Sequence, residues 1–258
     1  MKPTRSRRID LNADLGEGFG VWRAGDDASL IEVVTTANVA CGAHAGDPLI
    51  LLETARLAAK AKVGFGAHVS YFDLVGFGRR SIPLTAEELR AGVLYQLGAA
   101  WAAARAAGIR LGHIKAHGAL YWDSQSKPEV AEALIEAVCA FGEDLVLITY
   151  PHGAALEAAL AKGIRVAKEG FADRRYGPDG MLLRRGNPQA LIEDPAEART
   201  QAVSLALHGE ALASDGSRIR VEVDSICVHS DTKGAVEIAR AVREGLVSAG
   251  LVLAPIAA

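Results

Sequence analysis

The sequence predicts an α/β fold, with a parallel sheet whose strands are joined by helices. Three observations carry this prediction. Short apolar runs alternate about seven times with longer stretches of helical periodicity. Helix starts and stops are marked by capping residues and glycines. No linker-like shift of composition interrupts the 258 residues, so residues 1–258 read as one domain, with 1–8 as a frayed terminus.

Taken in order, the expected strands are Ile9–Leu15, Val33–Ala40, Val63–Ala67, His113–Ala116, Leu145–Tyr150, Arg165–Lys168 and Ser225–His229. Asp47-Pro48 reads as an N-cap followed by proline in the first helical turn. Thr85 and Glu88 form a capping box, and Leu89, Val93, Leu97 and Trp101 continue one apolar face. Ala99–Ala107 is best suited to helix. Asp194-Pro195 with Glu197 repeats the start signal, and Gly108, Gly163, Gly209 and Gly250 stand where helices should stop. Ser214-Asp215-Gly216-Ser217 predicts a hairpin turn before the last strand.

The totals exclude several classes. Net charge is −3, which gives no basic surface for nucleic acid or membranes. The basic run Arg5–Arg8 reads as a solvated terminus. No apolar stretch of about 18 residues suggests a transmembrane helix, and no signal peptide is visible. Three scattered cysteines fit a reducing cytosol rather than a disulfide framework, so a cytoplasmic protein is expected. Rossmann, P-loop, HExxH and GxSxG motifs are absent.

Polar residues gather where strands end. Asp10, Asn12, Asp14 and Glu17 follow the first strand; Asn38, Cys41, His44 and Asp47 follow the second. His68 closes the third, Lys115 and His117 the fourth, Glu169, Asp173 and Arg174 the sixth, and His229 and Asp231 the last. In α/β proteins that edge collects catalytic groups, and closing the sheet into a barrel would gather the loops around one pocket. Asp47 is equally well a plain cap, and Cys41 reads as a packed small residue. His113 is expected just before its strand and His208 at a helix end, both structural or exposed; His152 reads as a first-turn residue. Lys115, inside a short strand, is costly to bury unless paired. Arg79 and Arg80 in a glycine-flanked loop could clamp a carboxylate or phosphate, or simply be solvated. A divalent ion among the His and Asp groups is compatible with their chemistry, with Asp14, His44, His68 and His117 as candidate ligands.

Six blocks then occur in order: "DLNADLGEGFG", "TANVACGAHAGDP", "GAHVSYFDLVGFGRR", "IKAHGALY", "EGFADRRYGPDGMLLRR" and "DSICVHSDT". Together they resemble the LamB/YcsF family over roughly Ile9–Pro255. The resemblance implies a seven-stranded (β/α) barrel like those of glycoside hydrolases and deacetylases. It also implies ATP-dependent opening of 5-oxo-L-proline to L-glutamate, with two partners, 5-oxoprolinase subunits B and C, activating the lactam with MgATP. Some positions depart from the family pattern: Val69, Phe72 and Ala116 replace prolines, Ala43 replaces an aromatic residue, and Ser230 and Lys233 replace glycine and proline.

On that reading Asp14 or Glu17 is the base and His117 a second acid/base. Lys115 and Arg79 stabilise anionic oxygens. Asn12, Asn38, His44, His68, Glu169, Arg174 and His229 contact substrate or a metal. Two alternatives stay open: a stand-alone metal-dependent deacetylase or amidohydrolase on the same barrel, and a non-catalytic barrel that binds a lactam or sugar.

Overall fold

The computed structural model describes residues 7–257; of the basic run, Arg5 lies outside these residues. Strand β1 (Arg8–Leu15), the short helix α1 (Asp27–Leu30), β2 (Thr36–Ala40), α2 (Pro48–Ala61), β3 (Gly64–Val69), α3 (Ala86–Ala106) and β4 (Leu111–Ala116) make the first half. The second half contains α4 (Gly118–Ser126), α5 (Pro128–Phe141), β5 (Val146–Thr149), α6 (Ala154–Ala161), β6 (Arg165–Phe171) and α7 (Pro195–His208). A hairpin of β7 (Glu210–Leu212) and β8 (Arg218–Arg220) precedes β9 (Ser225–Val228), α8 (Ala235–Ser248) and β10 (Val252–Leu253).

The sheet order is β1-β2-β3-β4-β5-β6-β9, and β9 pairs back onto β1, closing a barrel of seven parallel strands. β10 adds a short parallel pairing at the start of β1. The seven expected strands are all present with shifted ends. Val33 and Val34 are buried in the turn before β2 rather than in the strand. The turn at 214–217 does join an antiparallel pair, β7 and β8.

The helix signals act as expected. Asp47 accepts from the amides of Leu49 and Ile50, and the Thr85–Glu88 capping box is fully formed. Gly108, Gly163, Gly209 and Gly250 all take positive φ. The α3 stripe is the exception. Leu89, Val93 and Leu97 are buried, but Trp101 is 41% exposed. At 3.6 residues per turn, Trp101 lies ~120° round the helix from Leu89, and Ala100 and Ala104 take the buried face instead.

Alternation along β1 sends Leu11, Ala13 and Leu15 outward into the main core beneath the helices. Asp10, Asn12 and Asp14 take the other face, inside the barrel. The β5–β6 side of the interior is apolar: Val146, Ile148 and Ala167 pack with Ile256 and Ala257. The polar wall of β1 to β4 and this apolar wall fill the barrel together.

Candidate active site

Alternation along β4 places both His113 and Lys115 inside the barrel. The strand begins at Leu111, two residues earlier than expected, and an irregularity brings His113 opposite Gly66. A Cβ at Gly66 would lie 2.1 Å from the His113 ring, so this position has room only for glycine. His113 is thus neither exposed nor ahead of the strand. It is fully buried, and its Nε2–H donates to Asn38 Oδ1 at 2.9 Å. Burial pushes its pKa down to about 3, so the ring is neutral.

Asn12 and Asn38, expected to touch substrate, instead form a closed layer below the pocket. Asn38 Nδ2 donates to Asn12 Oδ1 at 2.7 Å and to Asp14 Oδ1 at 2.9 Å, and Asn12 donates to Ser225. Both are fully buried. Their work is to fix Asp14.

Lys115 ties the centre together. Its Nζ lies 2.9 Å from Asp14 Oδ1 and 2.8 Å from Glu169 Oε1. Burial opposes its charge, yet Asp14 and its neighbours hold its pKa well above the ordinary lysine value. Burial likewise opposes the Asp14 charge, but His68 and Lys115 hold that carboxyl well below its usual range. Two buried carboxylates around one ammonium satisfy the requirement that a buried charge be paired. Glu169, expected to meet substrate, is fully buried on Lys115 instead.

Above them stand Glu17, His44, His68 and His117, one donor atom from each within 4.8 Å of the other three. All four are buried. Burial, with Asp14 nearby, pushes Glu17 up to about 7. Burial pushes His44 down to about 3 and His117 well below its ordinary value. Gly78 (φ +65°) brings the 73–80 loop against this cluster; a Cβ there would meet Ser70, His44 and His117 at under 3 Å. His44 and Glu17 also border a separate, largely apolar hollow with Phe19, Trp22, Leu74 and Val75.

The pocket itself is walled by Asp14, His68, Lys115, His117, Tyr121, Phe171 and His229, with Arg79, Arg174 and Arg185 at its mouth. Its accessible space is about 60 Å³, several times what one water needs (~10–15 Å³). Asp231 holds two of the guanidiniums, pairing with Arg79 and, at 3.3 Å, with Arg185. The third, Arg174, is buried and anchored on the carbonyls of Leu183 and Ala190. Burial and Arg185 lower its pKa to about 10. Three cations around one small opening favour an anionic ligand. His229 is fixed by Asp173, whose carboxylate meets Nδ1 at 2.9 Å.

Of the two loop arginines, Arg80 turns away to pair with Asp73 and is 64% exposed. Asp47 is a cap, accepting from Gly20, Leu49 and Ile50. Burial pushes the Cys41 thiol up to about 12, consistent with packing rather than nucleophilic work. His152 is exposed in the turn before α6. Sequence reasoning missed Arg185 and Tyr121 as site residues. Both lie in family-like blocks, so the signal for them was their membership of "MLLRR" and "GALY" and not their chemistry.

A closed (β/α) barrel with buried ionisable groups and cations at the carboxyl ends of its strands has the layout of a barrel enzyme's site. The chain belongs to the LamB/YcsF family, whose model matches residues 9–258. It is 51% identical over 249 residues to the A subunit of 5-oxoprolinase from Methylococcus capsulatus, covering 96% of each chain. A lactam utilization protein from Thermus thermophilus superposes with a TM-score of 0.91 at 42% identity, over 96% of this chain and 100% of that one. A deacetylase solved with its substrate shares the fold alone (TM-score 0.50, 15% identity, 97% of this chain and 89% of that one).

Proposed function

We propose that this chain is the A subunit of a 5-oxoprolinase, opening 5-oxo-L-proline to L-glutamate after partner subunits B and C activate the lactam with MgATP. The observation that carries the reading is the pairing of two features: an ionised Asp14 fixed by Lys115 and Asn38, and three guanidiniums lining the same pocket. The cations suit the substrate carboxylate and a phosphoryl group together. The relatives' names supply the lactam. Among the described residues no helix is long and apolar enough to cross a membrane.

A five-membered lactam is a poor electrophile until its oxygen is phosphorylated. Asp14 then orients the attacking water. Water adds to the ring carbon, and the C–N bond breaks as nitrogen takes a proton. The resulting acyl phosphate is hydrolysed by a second water to glutamate and phosphate. Lys115 and Arg79 steady the oxygens on which negative charge builds, Arg174 and Arg185 anchor the substrate's anionic groups, and Tyr121, Phe171 and His229 shape the ring's enclosure. Asn12, Asn38 and Glu169 act through Asp14 and Lys115.

The test is glutamate formed from 5-oxoproline by this chain with its cognate B and C subunits. Formation that needs MgATP and stops when this chain is omitted supports the proposal. No glutamate beside active partners overturns it. The buried Glu17/His cluster keeps a second reading in view, a stand-alone metal-dependent amidohydrolase; turnover without ATP or partners would favour it.

A further inference from the structure

The histidine cluster turns three donor atoms toward one point beside the pocket. His68 Nδ1–H donates to the Lys115 carbonyl at 3.2 Å, and His117 Nε2–H donates to the Phe77 carbonyl at 2.9 Å. A backbone carbonyl only accepts, so each outer nitrogen carries a proton, and each ring, when neutral, presents a lone pair on its inner nitrogen. Those inner nitrogens, His68 Nε2 and His117 Nδ1, face each other at 3.0 Å. Glu17 Oε1 stands 3.4 Å from His117 Nδ1 and 4.0 Å from His68 Nε2. In that neutral state two lone pairs and an oxygen converge on one point, where a shared proton or a metal ion turns their repulsion into attraction.

The spacing fits such a cation. With ligand bonds of roughly 2.0–2.2 Å, ligand atoms subtending about 90–150° at an ion lie ~2.9–4.1 Å apart, and the three edges fall inside that interval. Backbone carbonyls on the outer nitrogens are the usual second partners of metal-bound histidines. His44 does not fit as a ligand. Its ring lies parallel on that of His117, 6° apart with centroids at 3.8 Å. An ion in the plane of His117 is therefore well out of the plane of His44, where imidazole has no lone pair. His44 Nε2 instead meets Glu17 Oε1 at 3.2 Å, as a donor that orients the carboxylate. Asp14 Oδ1 is engaged by Lys115 and Asn38, and although its Oδ2 lies 3.3 Å from His68 Nε2, Asp14 stands outside the group whose donor atoms all lie within 4.8 Å of one another.

We infer that Glu17, His68 and His117 form a binding site for a divalent transition-metal ion such as zinc, with His44 as a positioning residue for Glu17. This revises the set expected from sequence: Glu17 enters, and Asp14 and His44 leave. Two histidines and one glutamate form a recognised catalytic zinc set that leaves a coordination position open. His68 and His117 also border the substrate pocket. A catalytic role for the ion rests on the hydrolase reading above, but binding is measured without substrate, so failure of either is distinguishable.

The experiment strips the full chain with a chelator and titrates it with Co²⁺, following visible ligand-field absorption, then measures zinc content after reloading. One equivalent, with bands of a low-coordinate nitrogen–oxygen site, is expected for the wild type. His68→Ala and His117→Ala should lose that equivalent while circular dichroism shows them folded. His44→Ala should keep it with affinity weakened ~10–100-fold. A folded wild-type chain that takes up no ion stoichiometrically overturns the site and leaves a proton between the two nitrogens. Because the wild-type spectrum tests the site by itself, a variant that fails to fold does not blunt the result. Loss of binding in folded His44→Ala as complete as in His68→Ala overturns the division of roles.

Discussion

Asp10 and Asp14 leave the same strand on the same side, at different depths along the barrel axis, and are 2% and 3% exposed. Their protonation differs sharply. Asp10 accepts from the hydroxyls of Thr35 (2.7 Å), Thr36 (2.5 Å) and Ser225, and burial still pushes its pKa up to about 6. Asp14 has Lys115 at 2.9 Å and His68 at 3.3 Å, and its pKa is held well below the ordinary value despite equal burial. Neutral donors satisfy a buried carboxyl without fully offsetting the cost of its charge. Close cations do offset it. The barrel floor is thus built for closure and its mouth for chemistry, from the same residue type.

The sharpest way to break this contrast is to remove the cation. Lys115→Met leaves Asp14 and Glu169 facing each other unpaired. Turnover in the assembled enzyme should fall by ~100-fold or more, and denaturant melts at pH 7 should show a loss of about 3–5 kcal/mol. Equal stability and activity would mean that Lys115 does not hold Asp14 ionised. Next comes the pocket mouth. Arg185→Gln removes one charge-assisted anchor worth about 1.5–3 kcal/mol, so steady-state kinetics should show KM raised roughly 10–100-fold with a smaller change in kcat.

Asp10→Asn probes the floor. The folded pKa of Asp10, about 6, lies above its reference of 3.8, so the folded state binds the proton more tightly. Its contribution is fully favourable below about pH 4 and is lost as pH rises to about 6, by up to ~3 kcal/mol. Wild-type stability should therefore decline across that window, and the asparagine variant should flatten the decline in melts run at several pH values. The smallest effect belongs to Arg80→Gln. Its partner is Asp73, but the guanidinium is 64% exposed, so stability should change by no more than about 1 kcal/mol and turnover should not change.

The strands are legible in the sequence because buried β-strands in a barrel are short apolar runs, and the helix ends because caps are local chemistry. The same reading places Asp14, Lys115, His68, His117, Arg79, Arg174 and His229 at one edge, and all seven border the pocket. What escapes it depends on depth along the barrel axis. Asn12 and Asn38 point inward as alternation requires, but the registers of β1 with β2 and β9 set them below the pocket. The irregularity in the β3–β4 pairing is what seats His113 opposite Gly66. The flat stack of His44 on His117 joins rings from the loops after β2 and β4, against which Gly78 packs. None of these is written in the spacing within a single segment.

The proposed function assigns the work on the substrate to Asp14 and not to Asp10, the other buried aspartate of β1. Glutamate release from 5-oxoproline by the complete enzyme, carrying either Asp14→Asn or Asp10→Asn, tests this most directly. A loss of ~100-fold or more is expected for Asp14→Asn, with activity near wild type for a folded Asp10→Asn. Full activity in Asp14→Asn, or equal losses in both, would contradict it.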